Sequence, residues 1–286
     1  MFTGKTQNLG VMGYPVAHSL SPAMHNAALQ AAALDYAYIA MPVAPEQLKE
    51  AVMGLRGLGF RGVNVTIPHK TAIMEYLDFI DEDARIIGAV NTVVNKAGQL
   101  HGYNTDRIGF IQALQQAGFQ PAGKQVVLLG AGGAARAVLW GLIKERVASI
   151  HIGVRNPGKA QLLATEFQGT VPIEVFDWQD PGFQQGLQQA DFLVNTTPLG
   201  MYPRLDGAPV VDWQYVSPQA FVYDIIYTPV KTKFLQQAED RGCQILNGEG
   251  MLAGQGAAAF QLWTGQKADI AVMKQALRQG LRQAQG

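Results

Sequence analysis

Cysteine is almost missing from this chain, and so is any surplus of charge. Cys243 is the one cysteine, which excludes an internal disulfide and a cysteine-rich zinc site; no metal is expected. A lone thiol fits a reducing compartment, so a cytoplasmic location is expected. The 22 basic and 22 acidic residues cancel. A neutral chain without a basic cluster argues against nucleic acid, whose affinity rests on neutralising phosphates, and against a polybasic membrane anchor. The longest apolar segment, VVLLGAGGAARAVLWGLI, is broken by Gly130, Gly132, Gly133 and Arg136 and does not read as a membrane span. The opening MFTGKTQNLGVMG has no sustained apolar run, so no signal peptide is expected.

What is present is core material: 48% hydrophobic residues against 15% charged, in 286 residues. That length suits one large or two ordinary domains. Strand patterns alternate with helical ones, which predicts parallel α/β architecture. Strands are expected at 8–13, 36–43, 62–67, 89–94, 124–130, 149–155, 172–176, 191–197 and 220–226. Helices are expected from Pro22, with Met24, Ala27, Ala28, Ala31 and Leu34 on one face, and over 45–59, 69–76, 80–87, 107–117, 133–145 and 158–168. Two more follow from about Gly250, the first packed through Leu252, Ala259 and Leu262. Two lobes fit better than one: residues 1–106 completed by 250–286, and residues 107–249 between them.

The glycine loop of the second lobe carries chemistry. Gly130, Ala131, Gly132, Gly133 and Ala134 follow a strand and open a helix, the context in which G-x-G-x-x-[GA] is a dinucleotide fingerprint. Gly130 allows the tight turn, Gly132 lets backbone approach a pyrophosphate, and Ala135 is small enough for helix and strand to pack. The pyrophosphate then rests on the positive helix N-terminus. At the end of the next strand, where NAD-binding units carry an acid for the ribose 2′-OH, this chain reads Arg155, Asn156 and Lys159. Two cations and an amide suit a 2′-phosphate, so NADP is favoured over NAD.

A second polar set lies mostly in the first lobe. In NVTIPHK, strand alternation directs Val63, Val65 and Ile67 one way and Asn64 and Thr66 the other, before Pro68 ends the ladder and Lys70 follows. Ser19 and Ser21 precede Pro22 at a helix start; Ser21 reads as an N-cap, as part of a carboxylate seat, or as both. Asn91 within AVNTVV reads as a bulge or a ligand group, and Asp106 as a helix cap or a ligand group. Gln255 is an amide on an apolar stripe and needs a partner. Hydroxyls, amides, a lysine and an aspartate together suit a small polyhydroxylated acid.

These residues sit in GYPVAHSLSPAMHN, GVNVTIPHK, GAVNT, GYNTD, GAGGAARA, NTTPLGM, YDIIYTP and GMLAGQ. Through these motifs, over essentially its full length, the chain resembles the shikimate dehydrogenases, NADP-dependent enzymes that reduce 3-dehydroshikimate on the way to the aromatic amino acids. The resemblance implies an N-terminal α/β substrate domain completed by C-terminal helices, with a Rossmann-type dinucleotide-binding domain inserted. It implies that Ser19 and Ser21 bind the substrate carboxylate, and that Thr66, Asn91, Asp106, Tyr227 and Gln255 contact the substrate and its hydroxyls. Lys70 and Asp106 would form the catalytic pair. Gly130 to Ala134 would hold the pyrophosphate, Val154 to Lys159 the 2′-phosphate end, and Ile225 and Gly248 the nicotinamide through backbone groups. The family's usual Asn-Arg-Thr-x-x-Arg becomes Val154, Arg155, Asn156 and Lys159 here, keeping the central cation. The expected partners are the small-molecule substrate and NADP, with no nucleic acid and no membrane; a homodimer is left open. A quinate-acting enzyme of the same build is the nearest alternative, and a nucleotide-binding protein without turnover is one of a different class. Closure of a cleft around both ligands is also expected.

Overall fold

A computed structural model describes residues 2–169 and 171–284. It divides into two compact units, one running through Gly109 and resuming at Ala253, the other spanning Phe110–Leu252. The crossings fall three residues later than the sequence reading sets them, and each lies inside a helix rather than in a linker.

In the first unit, β1 (Gln7–Gly13), α1 (Ser21–Ala31), β2 (Tyr36–Pro42), α2 (Leu48–Gly57) and β3 (Gly62–Val65) alternate. They are followed by β4 (Phe79–Ile80), α3 (Glu82–Ile87), the hairpin β5 (Thr92–Lys96) and β6 (Gln99–Tyr103), and α4 (Asp106–Gln116). The strand order is β2-β1-β3-β5-β6-β4. β1 is parallel to β2 and β3, whereas β5 is antiparallel to both its neighbours. The first lobe is therefore mixed rather than wholly parallel.

β3 corrects the reading of NVTIPHK. It lies between β1 and β5, and both its faces are covered, since Asn64 is buried along with Val63 and Val65. The strand stops at Val65, and Ile67 is 74% exposed rather than part of a packing face. Leu34 likewise falls outside α1, which ends at Ala31 before Ala33 takes φ 53°. Helix 69–76 shrinks to one 3-10 turn over Ala72–Tyr76. Residues 80–87 split into β4 and α3, whose start is capped by Asp81 accepting from the Asp83 amide. β6 was not anticipated; it returns through a turn at Ala97 (φ 53°) and Gly98 (φ 92°).

The second unit carries β7 (Gln125–Leu129), α5 (Gly133–Lys144), β8 (Ser149–Val154), α6 (Pro157–Glu166) and β9 (Ile173–Asp177). Then come α7 (Pro181–Gln189), β10 (Phe192–Asn195), β11 (Phe221–Asp224), α8 (Lys233–Asp240) and β12 (Gln244–Leu246). All pairings in this sheet are parallel, in the order β12-β11-β10-β7-β8-β9. This is the doubly wound Rossmann order, with its switch point between β7 and β10. α7, α8 and β12 were not expected. The glutamines and glycines of PGFQQGLQQ blur the apolar stripe that marks a helix, although Phe183 and Leu187 are buried.

α9 (Glu249–Thr264) returns the chain to the first unit, and α10 (Ile270–Ala284) packs on α1. The buried stripe of α9 runs through Gln255, Ala259 and Trp263, not through Leu262, which is 36% exposed. Trp263 ties α9 to the sheet: its Nε1 donates to the Val93 carbonyl at 2.9 Å, and Arg61 Nε donates to the Trp263 carbonyl at 3.1 Å. No helix among the described residues is long and apolar enough to cross a membrane.

Gly62 leaves the space this anchor needs. A Cβ there would lie 2.3 Å from both Trp263 Nε1 and the Val93 carbonyl oxygen. Gly62→Ala is expected to destabilise the first unit by about 2–3 kcal/mol through overpacking and a broken hydrogen bond. Urea unfolding followed by tryptophan fluorescence measures this; a parental midpoint would contradict it.

Candidate active site

In the first unit the polar groups converge on Asn91. This residue lies just before β5, between the end of β3 and the start of α4, so the strain of an asparagine inside a strand does not arise. Its backbone still pairs on both sides, with Val65 N donating to its carbonyl at 2.8 Å and its own amide donating to the Tyr103 carbonyl at 3.0 Å. Its side-chain Nδ2 donates to Asp106 Oδ1 at 2.8 Å and to Thr105 Oγ1 at 3.0 Å. Its Oδ1 accepts from the Thr105 amide at 2.8 Å and from Thr92 Oγ1 at 3.0 Å. The amide is 2% exposed, so these bonds are what make its burial tolerable.

Asp106 is the first residue of α4, yet its carboxylate does not cap the helix. Asn104 Oδ1 accepts the Asp106 amide at 3.0 Å. This leaves Asp106 Oδ2 to pair with Lys70 Nζ at 2.6 Å, with the two side chains 13% and 26% exposed. The turn carrying Lys70 is pinned on both sides. His69 is buried and its Nε2 lies 2.7 Å from the Val43 carbonyl, and Val90 N donates to the Lys70 carbonyl at 2.8 Å. A charged pair that is partly buried and oriented by an amide, with the lysine still reachable, is a proton-transfer arrangement.

Gln255 joins the same cluster from α9. Its Oε1 lies 3.4 Å from Thr105 Oγ1 and 3.5 Å from Asn91 Nδ2. At the start of α1, Leu20 rather than Ser21 is the N-cap, and Ser19 Oγ accepts the Ser21 amide at 3.3 Å. Two hydroxyls at a helix start with no acid in its first turn suit an anion. Thr66 sits half-buried after β3, its methyl group against Gly13. Tyr227 belongs to the second unit, where burial pushes its phenol above the usual range. Sequence reasoning placed Asn64 on a polar face without a partner and missed Thr92, Asn104 and Thr105, although all four lie inside the quoted motifs. Their signal is a run of polar residues where a buried strand should be apolar.

In the second unit the glycine loop lies at the switch point. Gly130 has φ +104°, and a Cβ there would meet Thr196 Oγ1 and Thr197 Cγ2, each at 2.9 Å. Only glycine suits this turn. Gly132 is the N-cap of α5 and brings no side-chain cap, and a Cβ on Gly132 or Gly133 would meet only open space. Ala131 and Ala134 are half-buried beside them, and Ala135 is fully buried against the sheet. Uncapped amides at an open helix start, with no acid in the first turn, fit a pyrophosphate.

At the end of β8 the assignments divide. Arg155 and Lys159 are exposed and join no ion pair among the described residues, so their charge is available to a 2′-phosphate. Asn156 is the N-cap of α6, its Oδ1 accepting the Gly158 amide at 3.2 Å. Val154 is packed into the sheet and its carbonyl accepts the Trp178 amide at 3.1 Å, so its apolar side chain offers a phosphate nothing.

Ile225 and Gly248 meet through their backbones: a Cβ on Gly248 would lie only 1.9 Å from the Ile225 carbonyl oxygen. A buried carboxylate fixes this stretch. Asp224 accepts from Asn195 Nδ2 at 3.0 Å, the Ile226 amide at 3.1 Å and Thr232 Oγ1 at 2.6 Å. Burial nonetheless raises its pKa from 3.8 to about 6, with those hydrogen bonds opposing the shift. Thr197 Oγ1 in turn donates to Asn195 Oδ1 at 2.7 Å, joining the loop after β10 to the same network.

A Rossmann-ordered sheet with a phosphate-ready glycine loop, in a chain that also carries a lysine–aspartate pair within a polar cluster, defines a dinucleotide-dependent oxidoreductase acting on a small polar molecule. Known proteins specify the kind. The family model for the shikimate dehydrogenase substrate binding domain matches residues 11–93, that for shikimate/quinate 5-dehydrogenase residues 112–200, and that for the shikimate 5'-dehydrogenase C-terminal domain residues 248–278. A shikimate dehydrogenase (NADP+) of Moorella thermoacetica is 48% identical over 282 residues, covering 97% of this chain and 95% of that protein. The Listeria monocytogenes shikimate 5-dehydrogenase, solved with shikimate and NAD, superposes with TM-score 0.92 at 37% identity, covering 96% of this chain and 98% of that one. The Thermus thermophilus enzyme, solved with NADP(H) and shikimate, gives TM-score 0.87 at 37% identity, covering 96% and 100%. The chain belongs to the shikimate dehydrogenase family.

Asp224 gives this site a pH signature. The folded chain keeps its proton up to about pH 6, while an unfolded chain releases it near 3.8. The folded state therefore binds more protons between these values, and its stability falls as pH rises through them, by about 3 kcal/mol in all. Asp224→Asn is expected to remove this fall. The difference in urea-unfolding free energy between parent and variant, measured from about pH 4 to 7, reports it; a difference independent of pH would contradict it.

Proposed function

We propose that this chain catalyses the reversible NADPH-dependent reduction of 3-dehydroshikimate to shikimate, a step towards the aromatic amino acids. The observation that carries the reading is the Lys70–Asp106 pair at 2.6 Å held by Asn91, in a chain 48% identical to a shikimate dehydrogenase (NADP+) over nearly its whole length. The cofactor, when bound, supplies the hydride.

The protein's own groups do the rest. Ser19 and Ser21 receive the substrate carboxylate at the start of α1, where free amides and the helix dipole favour an anion. Thr66, Asn91, Gln255 and Tyr227 address the ring and its hydroxyls, and Asp106 accepts a hydrogen bond from the hydroxyl beside the reacting carbon. The Lys70 ammonium stabilises the charge that develops on the ketone oxygen, and the proton comes from the pair acting as a unit. Gly130, Ala131, Gly132, Gly133 and Ala134 hold the pyrophosphate. Arg155 and Lys159 take the 2′-phosphate, while Asn156 steadies the first turn of α6 between them. Backbone groups of Ile225 and Gly248 seat the nicotinamide.

The division of labour between the units follows: the first, with α9 beyond Ala253 and α10, binds substrate, and the second binds NADP. A cytoplasmic location belongs to the same reading, supported by the lone, buried Cys243. So does a homodimer: β2 is an edge strand with Ile39 half-exposed, a surface a second copy could cover, and sedimentation tests it.

The direct test is absorbance of reduced nicotinamide with purified protein, shikimate and NADP. Fast reduction with NADP, slower with NAD and slower with quinate, is expected; no turnover of any of these acids would overturn the reading. Lys70→Ala is expected to lower turnover by about 10²–10⁴ with the Michaelis constant for NADP little changed. Arg155→Ala is expected to raise the Michaelis constant for NADP by about tenfold and leave that for NAD unchanged, the loss of one charge-assisted phosphate contact. Equal effects on both cofactors would remove Arg155 from 2′-phosphate recognition.

A further inference from the structure

Tyr38 is used by none of the roles above, yet few side chains in the first unit are so fully constrained. It lies in β2 and is 2% exposed. Its backbone is clamped from α1 in both directions: Asn26 Nδ2 donates to the Tyr38 carbonyl at 2.8 Å, and the Tyr38 amide donates to Asn26 Oδ1 at 2.9 Å. Its ring stacks on His25, with centroids 4.3 Å apart and planes 9° from parallel, and Trp263 tilts against it at 6.0 Å. Burial drives the His25 pKa down to about 3, so the stacking partner stays neutral and the contact is insensitive to pH across the physiological range.

The phenol is held just as firmly. Tyr38 OH donates to Asn64 Oδ1 at 2.7 Å. Asn64 spends both Nδ2 hydrogens on the site, one on the Asn91 carbonyl at 3.2 Å and one on Thr92 Oγ1 at 3.1 Å. Thr92 Oγ1 donates to Asn91 Oδ1 at 3.0 Å, and Asn91 Nδ2 reaches Asp106 at 2.8 Å. An amide can be turned over at little steric cost, exchanging its oxygen and nitrogen. The Asn91 carbonyl, which can only accept, decides which end of Asn64 faces it, and the Tyr38 hydroxyl, by donating to Oδ1, holds the other end in place. Were the Tyr38 hydroxyl absent, Asn64 Oδ1 would lose its donor and the side chain would be free to shift, loosening its bonds to the Asn91 carbonyl and Thr92.

We propose that Tyr38 is a positioning residue for the reaction: its hydroxyl, donating to Oδ1, holds the Asn64 side chain in place, and Asn64 through Thr92 and the Asn91 backbone sets the Asn91 amide that aims Asp106 at Lys70. The phenol touches neither substrate nor cofactor in this account. It acts through the hydrogen-bond chain; Ser21 is its other polar neighbour, its hydroxyl opposing the burial that raises the phenol's pKa, and a route through Ser21 would show in the Michaelis constant for shikimate rather than in kcat. The inference rests on the proposed shikimate dehydrogenase reaction for its kinetic part, and on the fold alone for its spectroscopic part.

Tyr38→Phe removes the hydroxyl and keeps the ring stack. It is expected to lower kcat for shikimate oxidation about tenfold, the size of one buried hydrogen bond, with the Michaelis constant for NADP unchanged. In ¹⁵N spectra of the ligand-free protein, the Asn91 side-chain amide, identified by its loss in Asn91→Asp, is expected to move and to lose its slow solvent exchange. Thr92→Val breaks the same chain one link nearer Asn91 and is expected to give both effects, which covers a Tyr38→Phe protein that does not fold. Parental kcat together with an undisturbed Asn91 amide, in whichever of these variants folds, would overturn the inference while leaving the reaction assignment intact. A parent that turns over no hydroxy acid would overturn the reaction assignment, and the Asn91 amide would still decide the inference.

Discussion

The first unit turns on a single buried amide. Asn91 donates to Asp106 and Thr105 and accepts from the Thr105 amide and Thr92, so its hydrogen-bonding capacity is largely spent inside the protein. A buried amide left half-satisfied costs about 1–3 kcal/mol, so the surrounding chain is compelled to keep its partners in place. That is why the turn after β3, the start of β5 and the start of α4 meet where they do. The same requirement leaves Asp106 with one oxygen for Asn91 and one for Lys70. The geometry of the Lys70–Asp106 pair is a by-product of satisfying buried polar groups.

The second unit solves a comparable problem around a carboxylate. Asp224 stands at the end of β11 and ties together Asn195 at the end of β10, the Ile226 amide and Thr232 at the start of α8. Its raised pKa records what burial costs, and its three donors record what offsets it. The reward is a rigid stretch of backbone at 225–226 against which Gly248 packs without a side chain. Both units therefore hold their candidate site residues on backbones fixed by concealed polar networks, as a preorganised site requires.

Much of this was legible in the sequence. The strand–glycine–helix signal at 126–143 identified the nucleotide unit because three glycines at those spacings have few other uses after a strand, and Gly130 does take the left-handed turn. The absence of an acid near Arg155 was equally plain. What failed was the assignment of faces. Alternation in NVTIPHK suggested one packed and one solvated side, but both faces of this strand are covered, and Asn64 is buried among partners supplied by residues 26 to 28 positions away. Leu262 looked like core because leucine usually is, while the true stripe of α9 runs through Gln255, an amide whose partners include the distant Thr105 and Asn91. Val154 and Asn156 were named with their neighbours, but sheet packing and helix capping occupy their side chains. Local pattern reveals period; it does not reveal which neighbours a tertiary fold will bring.

If the polar cluster works as one unit, breaking it at either end should cost the same. The decisive measurement is a double-mutant cycle on kcat for shikimate oxidation with Asn91→Ala, Lys70→Ala and the pair together. The account predicts that the double variant is scarcely slower than Lys70→Ala alone, because Asn91 acts by aiming Asp106 at that lysine. Losses that simply multiply would mean that Asn91 and Lys70 contribute separately, and would contradict it.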